Sequence, residues 1–394
     1  MKRIIYSLLF AAGALFAGCS DDDTQAPLNT PIQEGNNLYG VVTDPNGAPV
    51  GGIVVSDGFS CVATDANGVY QMPRHADAFH VFYRIPADRE IPMSEGRPCF
   101  WQRLSKTQER YDFVLMPQQA VETDFKLVCI ADPQVQKDTD LARFKEESVP
   151  DIRAHVSTLE GPVYGITLGD IIFNEKAKDV TNQMMPPIAL AMRESEIGLK
   201  LFQVMGNHDN DPYFAGDFAA EAAYRKALGP TYYSFDVGEV HYVMLDNTVY
   251  INTGGTEGSM GKRNYHSYVT DQQLAWLRDD LAALRDKSQP VVVGMHCPAM
   301  NNYNAAFENR ESFNPAGKTQ ELFDCFKGFS DVHFLTGHTH YNANMERGAI
   351  FEHNVAAVCE TWWWAGKLSG VGVCKDGSPA GYAVYEADGR ELNW

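Results

Sequence analysis

Five short apolar runs in this chain each close on a side chain able to hold a metal ion. Asp132 follows KLVCIA, Asp170 follows YGITLG, Asn207 follows LFQVMG, His296 follows VVVGM, and His338 and His340 follow VHFLTG. Asp132 and Asp170 each bring a negative charge and oxygen donors. The imidazoles of His296, His338 and His340 are donors suited to Zn, Fe or Mn, and Asn207 offers a neutral carbonyl oxygen. Singly, each residue has an ordinary explanation as a cap, a turn former or a packed core group. Together, at the ends of five separate runs, they point to one metal-bearing cleft.

The elements that must position them are legible too. The runs are rich in Val, Ile, Leu, Phe and Tyr, and several close with Gly, as buried strands do when they stop at a sheet edge. Open α/β sheets gather ligand sites at the carboxyl ends of their strands. His338 and His340 stand two apart, so a strand would point both to one face, whereas a turn could aim each at a different ion. Thr270 and Gln273 form a capping box, and Leu274, Leu277, Leu281 and Leu284 give an apolar stripe. That pattern predicts a helix from about Asp271 to Lys287, stopping before Pro290. A second helix is expected over Phe218 to Leu228, ended by Gly229 and Pro230, followed by a hairpin turning at Asp236 to Glu239.

Composition narrows the function. A chain of 394 residues with 44% hydrophobic content is long enough for two or three domains. The formal charge of −19 opposes a nucleic-acid partner and docking on anionic lipid, because neither phosphate surface would be neutralised. If the substrate is a phosphate, the positive potential must come from bound metal. No zinc knuckle of the CxxC type is present. Of the cysteines after Cys19, Cys61 with Cys99 and Cys359 with Cys374 are the local pairing options, while Cys129 and Cys297 read as buried thiols.

The N-terminus reads as a targeting segment. Lys2 and Arg3 precede IIYSLLFAAGALFAG, too short an apolar run to span a bilayer. LFAGC resembles a lipobox, which implies a lipid on Cys19, and the acidic run Ser20 to Asp23 resembles the export tag of surface-exposed lipoproteins. The expectation is an exported lipoprotein on the outer membrane or cell surface of a Gram-negative bacterium. Residues 1–19 would be the signal peptide and 20–36 a polar linker. Residues 37–120 alternate short β-rich runs with DPNG, DG and DANG turns, an all-β pattern. They resemble the transthyretin-like or carboxypeptidase-regulatory-like β-sandwich. Asp44, Asp57 and Asp65 fall at its turns and read as turn formers. Residues 348–394 are β-rich and carry the Trp362 to Trp364 cluster; they are expected to begin a further, truncated C-terminal domain.

Between these, residues 123–347 carry DPQ at Asp132 to Gln134, GD at Asp170, GNHD at Gly206 to Asp209, GMH at His296, and GHTH at Gly337 to His340. This order resembles the calcineurin-like metallophosphoesterases. The resemblance implies a four-layer αββα sandwich, of α/β (α+β) class, behind the small β-sandwich. It also implies a phosphoesterase using two divalent or trivalent ions, Mn, Zn or Fe, with a metal-bridging hydroxide as nucleophile. One ion would be held by Asp132, Gln134, Asp170 and His340, the other by Asp170, Asn207, His296 and His338. His208 would face the leaving group, and Asp209 would hydrogen-bond His208.

Three departures refine this reading. Gln134 replaces the usual His, so its ion should be weaker held or harder. GDIIFN lacks the D-R-G continuation of the Ser/Thr protein phosphatases, and with it their phosphate-gripping Arg. Phe173 stands where purple acid phosphatases have a tyrosine, which removes a tyrosinate–iron bond. Tyr232, Tyr233, Tyr303 and the three tryptophans could wall the cleft. The favoured substrate is a small or membrane-derived phosphomonoester. A diester served by the same metal core, or a catalytically degenerate surface binding protein, are the alternatives.

Overall fold

The fold is taken from a computed structural model, which describes residues 25–174, 180–253, 262–300, 318–366 and 370–393. Cys19, its apolar run, the acidic stretch behind it and Tyr303 lie outside the described residues.

The strand Asp124–Ile130 explains why its run is apolar throughout. Phe125, Leu127 and Cys129 face one core, while Val128 and Ile130 face another. A strand covered on both faces has no polar side to alternate with. It lies in a five-stranded sheet of order Lys200–Phe202, Val163–Thr167, Asp124–Ile130, Ala383–Asp388, Glu391–Asn393. The first three strands run parallel, and Ala383–Asp388 pairs antiparallel with Asp124–Ile130. Ala383–Asp388, in the β-rich tail, thereby becomes part of this sheet.

A six-stranded sheet packs against this one. Its order is Tyr233–Val237, Val240–Met244, Val291–Gly294, Val332–Thr336, Ile350–Asn354, Ala343–Arg347. The four inner strands are parallel and the two edge strands antiparallel. Phe125, Leu127 and Cys129 of the first sheet share a core with Tyr242, Val293 and Phe334 of the second. Helices cover the outer faces. Phe144, Ile152 and Ile188 lie over the five-stranded sheet. The helix Asp271–Ala282 lays Leu274, Leu277 and Leu281 on the six-stranded one. The layers are thus αββα, with a β-sandwich in front.

Local signals explain the helix limits. Thr270 Oγ1 accepts the Gln273 amide at 3.3 Å, which starts the Asp271–Ala282 helix. It stops at Ala282, short of the expected Lys287, as Ala283 and Leu284 donate their amides to the Asp280 and Leu281 carbonyls, three residues back. The expected Phe218 to Leu228 helix is two pieces, Asp217–Ala220 and Ala222–Leu228, closed by Gly229 at φ 101°. Among the described residues no helix is long and apolar enough to cross a membrane.

The N-terminal sandwich pairs a sheet of Val69–Met72, Leu38–Thr43 and Phe113–Val114 with one of Cys61–Ala63, Val54–Ser56, His80–Tyr83 and Trp101–Arg103. Its aspartates close turns: Asp44 and Asp65 each accept two backbone amides, and Asp57 accepts three. The sandwich covers the Tyr233–Val237 edge strand. Ile85 bridges Phe235, and Asp236 donates its amide to Ile85 at 2.8 Å. Trp276 donates to Ser56 Oγ at 3.1 Å across the same junction. The seven described cysteines are free thiols. Neither suggested pair is joined: Cys359 points to Gln134, Cys374 to the Ala357 carbonyl and Cys99 to the Trp101 carbonyl.

Candidate metal centre

Every expected ligand except Asn207 and His296 sits on left-handed backbone. The φ angles are 51° at Asp132, 48° at Gln134, 49° at Asp170, 67° at His338 and 56° at His340. Such a conformation costs about 1–3 kcal/mol for a residue with a side chain. It turns each strand end sharply inward. Two glycines let the ends approach. A Cβ on Gly206 would lie 2.2 Å from the Asp170 amide nitrogen, and one on Gly337 would lie 2.7 Å from Asp132 Oδ2.

The turns bring four of these side chains to one point. His296 Nε2 lies 3.1 Å from Asn207 Oδ1, 3.3 Å from Asp170 Oδ1 and 3.0 Å from His338 Nδ1. His296 Nδ1–H is committed to the Leu168 carbonyl at 2.7 Å. A neutral imidazole so held presents a lone pair at Nε2, facing acceptors on its neighbours. The gathering needs a positive centre, either a proton or a cation. Burial opposes charge on His296, but Asp170 and Asp132 outweigh it and push its pKa up to about 9. Burial, then His296, holds His338 well below the ordinary histidine range. Burial works against ionised Asp170 too, yet His296 and His208 bring its pKa down. A metal ion at this point would therefore displace one proton from His296.

A second gathering lies beside the first. His340 Nε2 is 3.3 Å from Asp132 Oδ1, and that buried oxygen has no hydrogen-bond partner among the described residues. An orphaned buried acceptor costs about 1–3 kcal/mol, which a cation would recover. Asp132 Oδ2 accepts the His338 amide at 2.8 Å. Gln134 Nε2 donates to Asp170 Oδ2 at 3.1 Å, while its Oε1 faces Cys359. Turning the amide over would present Oε1 to the carboxylates instead. Asp132, Asp170 and His296 offer ligand atoms all within 4.8 Å of one another. The residues present thus fit a pair of cations sharing Asp170.

Several supporting residues escaped sequence reasoning. The Glu360 carbonyl accepts from His340 Nδ1 at 3.0 Å, and Tyr265 meets His338 Nε2 at 3.0 Å. Trp363 Nε1 donates to the Pro133 carbonyl at 2.6 Å, between Asp132 and Gln134. The Lys375 ammonium lies over the Trp362 ring, 5.7 Å from its centroid. Only the tryptophans carried a sequence signal.

His208 lies at the rim, its Nε2 4.0 Å from Asp170 Oδ2. Asp209 does not serve it as expected. Asp209 Oδ1 accepts the Ile172 amide and Oδ2 the Gly206 amide, so both oxygens are spent on backbone. Asn174 meets the imidazole instead, Oδ1 to Nδ1 at 3.2 Å. Of the aromatic candidates, Tyr232 and Tyr233 point elsewhere: Tyr232 bonds Gly58 of the sandwich, and Tyr233 bonds the Gln203 carbonyl.

The family model described as calcineurin-like phosphoesterase matches residues 125–342. Models for the N terminal and the C terminal of calcineurin-like phosphoesterase match residues 36–118 and 352–394. Purple acid phosphatase 23 of Arabidopsis thaliana is 29% identical over 154 residues, covering 36% of this chain and 29% of that protein. The chain thus spans less than a third of that relative's length. Among solved structures, purple acid phosphatase PPD1 from yellow lupin (Lupinus luteus) seeds has a TM-score of 0.44 at 10% identity, covering 70% of this chain and 52% of the other. GAP50, the anchor in the inner membrane complex of Plasmodium, has a TM-score of 0.38 at 12% identity, covering 67% and 81%. Superpositions this loose carry no weight beside the sequence match.

Proposed function

The chain belongs to the calcineurin-like phosphoesterases, a hydrolase family, and from that premise we propose that it cleaves a phosphate ester, a monoester by preference, at two metal ions. One ion is held by Asp132, Gln134, Asp170 and His340, the other by Asp170, Asn207, His296 and His338. The observation that carries this reading is the meeting of Asp170, Asn207 and His338 within 3.0–3.3 Å of His296 Nε2. The ions, Mn, Zn or Fe by their donor set, supply Lewis acidity toward the phosphoryl oxygens and an activated water.

The chain's own residues do the rest. Leu168 and Glu360 carbonyls fix which nitrogen His296 and His340 present. Asn174 orients His208, which gives a proton to the departing oxygen at Nε2. Asp209 holds the Gly206 and Ile172 backbones, keeping the two strand ends together. Lys375 brings a positive charge to a site without the arginine of the protein phosphatases.

The substrate is a small or membrane-derived phosphate ester rather than nucleic acid, in keeping with the −19 charge. Lys2, Arg3, the apolar run and Cys19 support export and a lipid anchor at the outer membrane or cell surface. The test is a phosphate-release screen of mono- and diesters with added Mn, Zn or Fe, alongside metal analysis of the purified chain. Monoester turnover with two ions per chain is expected. Metal-free, inactive protein under every condition overturns the reading.

A further inference from the structure

The segment Glu360 to Trp364 follows the Ile350–Asn354 strand and turns on unusual backbone. Glu360, Trp362 and Trp363 all have left-handed φ, 63°, 57° and 57°. The result sends consecutive indoles opposite ways. Trp363 is buried, with Arg143 over its ring and Nε1 on Pro133. Trp362, half-buried, and the exposed Trp364 stack on each other, 5.9 Å apart and 10° from parallel. Trp364 remains 44% exposed. A large apolar side chain left in water by a strained turn has something to gain from a partner.

These rings adjoin the reacting groups. Trp362 lies 5.6 Å from the His340 ring, and Phe173 lies 4.3 Å from the His208 ring. Phe173 and Trp362 are themselves 6.2 Å apart. With Gln134, Lys137 and Trp364 they line a cleft of about 140 Å³. That is close to the roughly 150 Å³ of an apolar cavity that takes up benzene. It has room for a single ring and is too small for a polymer segment. Through Phe173 the cleft adjoins His208, where a departing oxygen would stand. The indole Nε1 of Trp362 is a buried donor with no acceptor among the described residues. Lys137, exposed at the rim, adds a positive charge.

We infer that the group esterified to the substrate's phosphate is a flat aromatic ring, received by Phe173, Trp362 and Trp364. This rests on the phosphoesterase reading and adds the class of alcohol that leaves. The indole faces supply stacking surface, and the phosphorus end reaches the ligand cluster through Gln134 and His340.

Binding of phenylphosphonate and methylphosphonate to the metal-loaded full chain, measured by titration calorimetry with orthophosphate as reference, tests it. The two inhibitors differ only in the ring. Phenylphosphonate should bind about tenfold more tightly or better, as expected for one stacked ring. Trp362→Ala should bring the ratio toward unity, and Trp362→Phe, which keeps a ring, should retain most of it. Equal affinities in the parent protein, or a preference that survives Trp362→Ala, overturn the inference while leaving hydrolysis intact. If orthophosphate also fails to bind, the phosphoesterase reading itself falls, and this inference with it.

Discussion

Asp170 concentrates more of the site on one side chain than any other residue. Its Oδ1 lies beside His296 and the His208 amide, and its Oδ2 takes the Gln134 amide. Asp170→Asn keeps the shape and removes the charge. It should lose metal at both positions, and elemental analysis should read near zero ions per chain; unchanged stoichiometry would rule out a shared ligand. His208 has a different role. His208→Ala should retain its metal and lose about 10²-fold or more in turnover. Paired metal analysis and steady-state rates decide between that outcome and a residue of no consequence. Both residues were legible in sequence, because GD and GNHD follow apolar runs. Asn174 and Tyr265 were not. Asn174 is four residues past Asp170, with nothing in the sequence to tie it to His208. Tyr265 reaches His338 across 73 positions.

Elements act on the site through their ends. The segment after Ile350–Asn354 touches the ligand loop at three places: Cys359 on Gln134, the Glu360 carbonyl on His340, and Trp363 on Pro133. Groups that orient metal ligands are worth about 10–100-fold in metal affinity. Trp363→Phe keeps a ring for Arg143 to cover and removes the bond to Pro133. It should weaken the ion beside Gln134 and His340 by about that factor while sparing the other, and a two-phase chelator titration would resolve the two. Equal weakening of both ions would argue against a local brace. The αββα layering was readable because strands covered on both faces leave continuous apolar runs, as in KLVCIA. The partner of that strand was not. Ala383–Asp388 alternates no differently from a strand of a separate domain, and its register with Asp124–Ile130 depends on packing some 250 positions away.

At the scale of the whole molecule, the sandwich and the catalytic layers meet around a buried charge cluster. His241 Nδ1 lies 2.7 Å from Asp236, its Nε2 lies 2.9 Å from Asp280, and Arg84 of the sandwich lies 3.6 Å from both aspartates. Burial opposes the imidazolium, yet Asp280 and Asp236 push its pKa up to about 9. The folded form then holds a proton that the unfolded chain releases near pH 6.5. Stability from this group is full below that pH and is lost as pH rises through about 9, at most about 3 kcal/mol. Thermal unfolding scans should show the midpoint falling over that window, and His241→Gln should flatten the fall. A slope identical in both proteins would show that His241 is not charged in the fold. The sandwich also covers the Tyr233–Val237 edge, where exposed backbone would invite pairing between molecules. Catalytic layers produced without it should aggregate.

The pairing of Asp124–Ile130 with Ala383–Asp388 has a temporal consequence. The strand that leads into Asp132 leaves the ribosome long before its neighbour does. Until that neighbour is synthesised, one side of the strand has no hydrogen-bonding partner, and closure of so long a loop is slow. Maturation of the ligand cluster is thereby postponed until Ala383–Asp388 has been translated, some 250 residues after the strand that leads into Asp132.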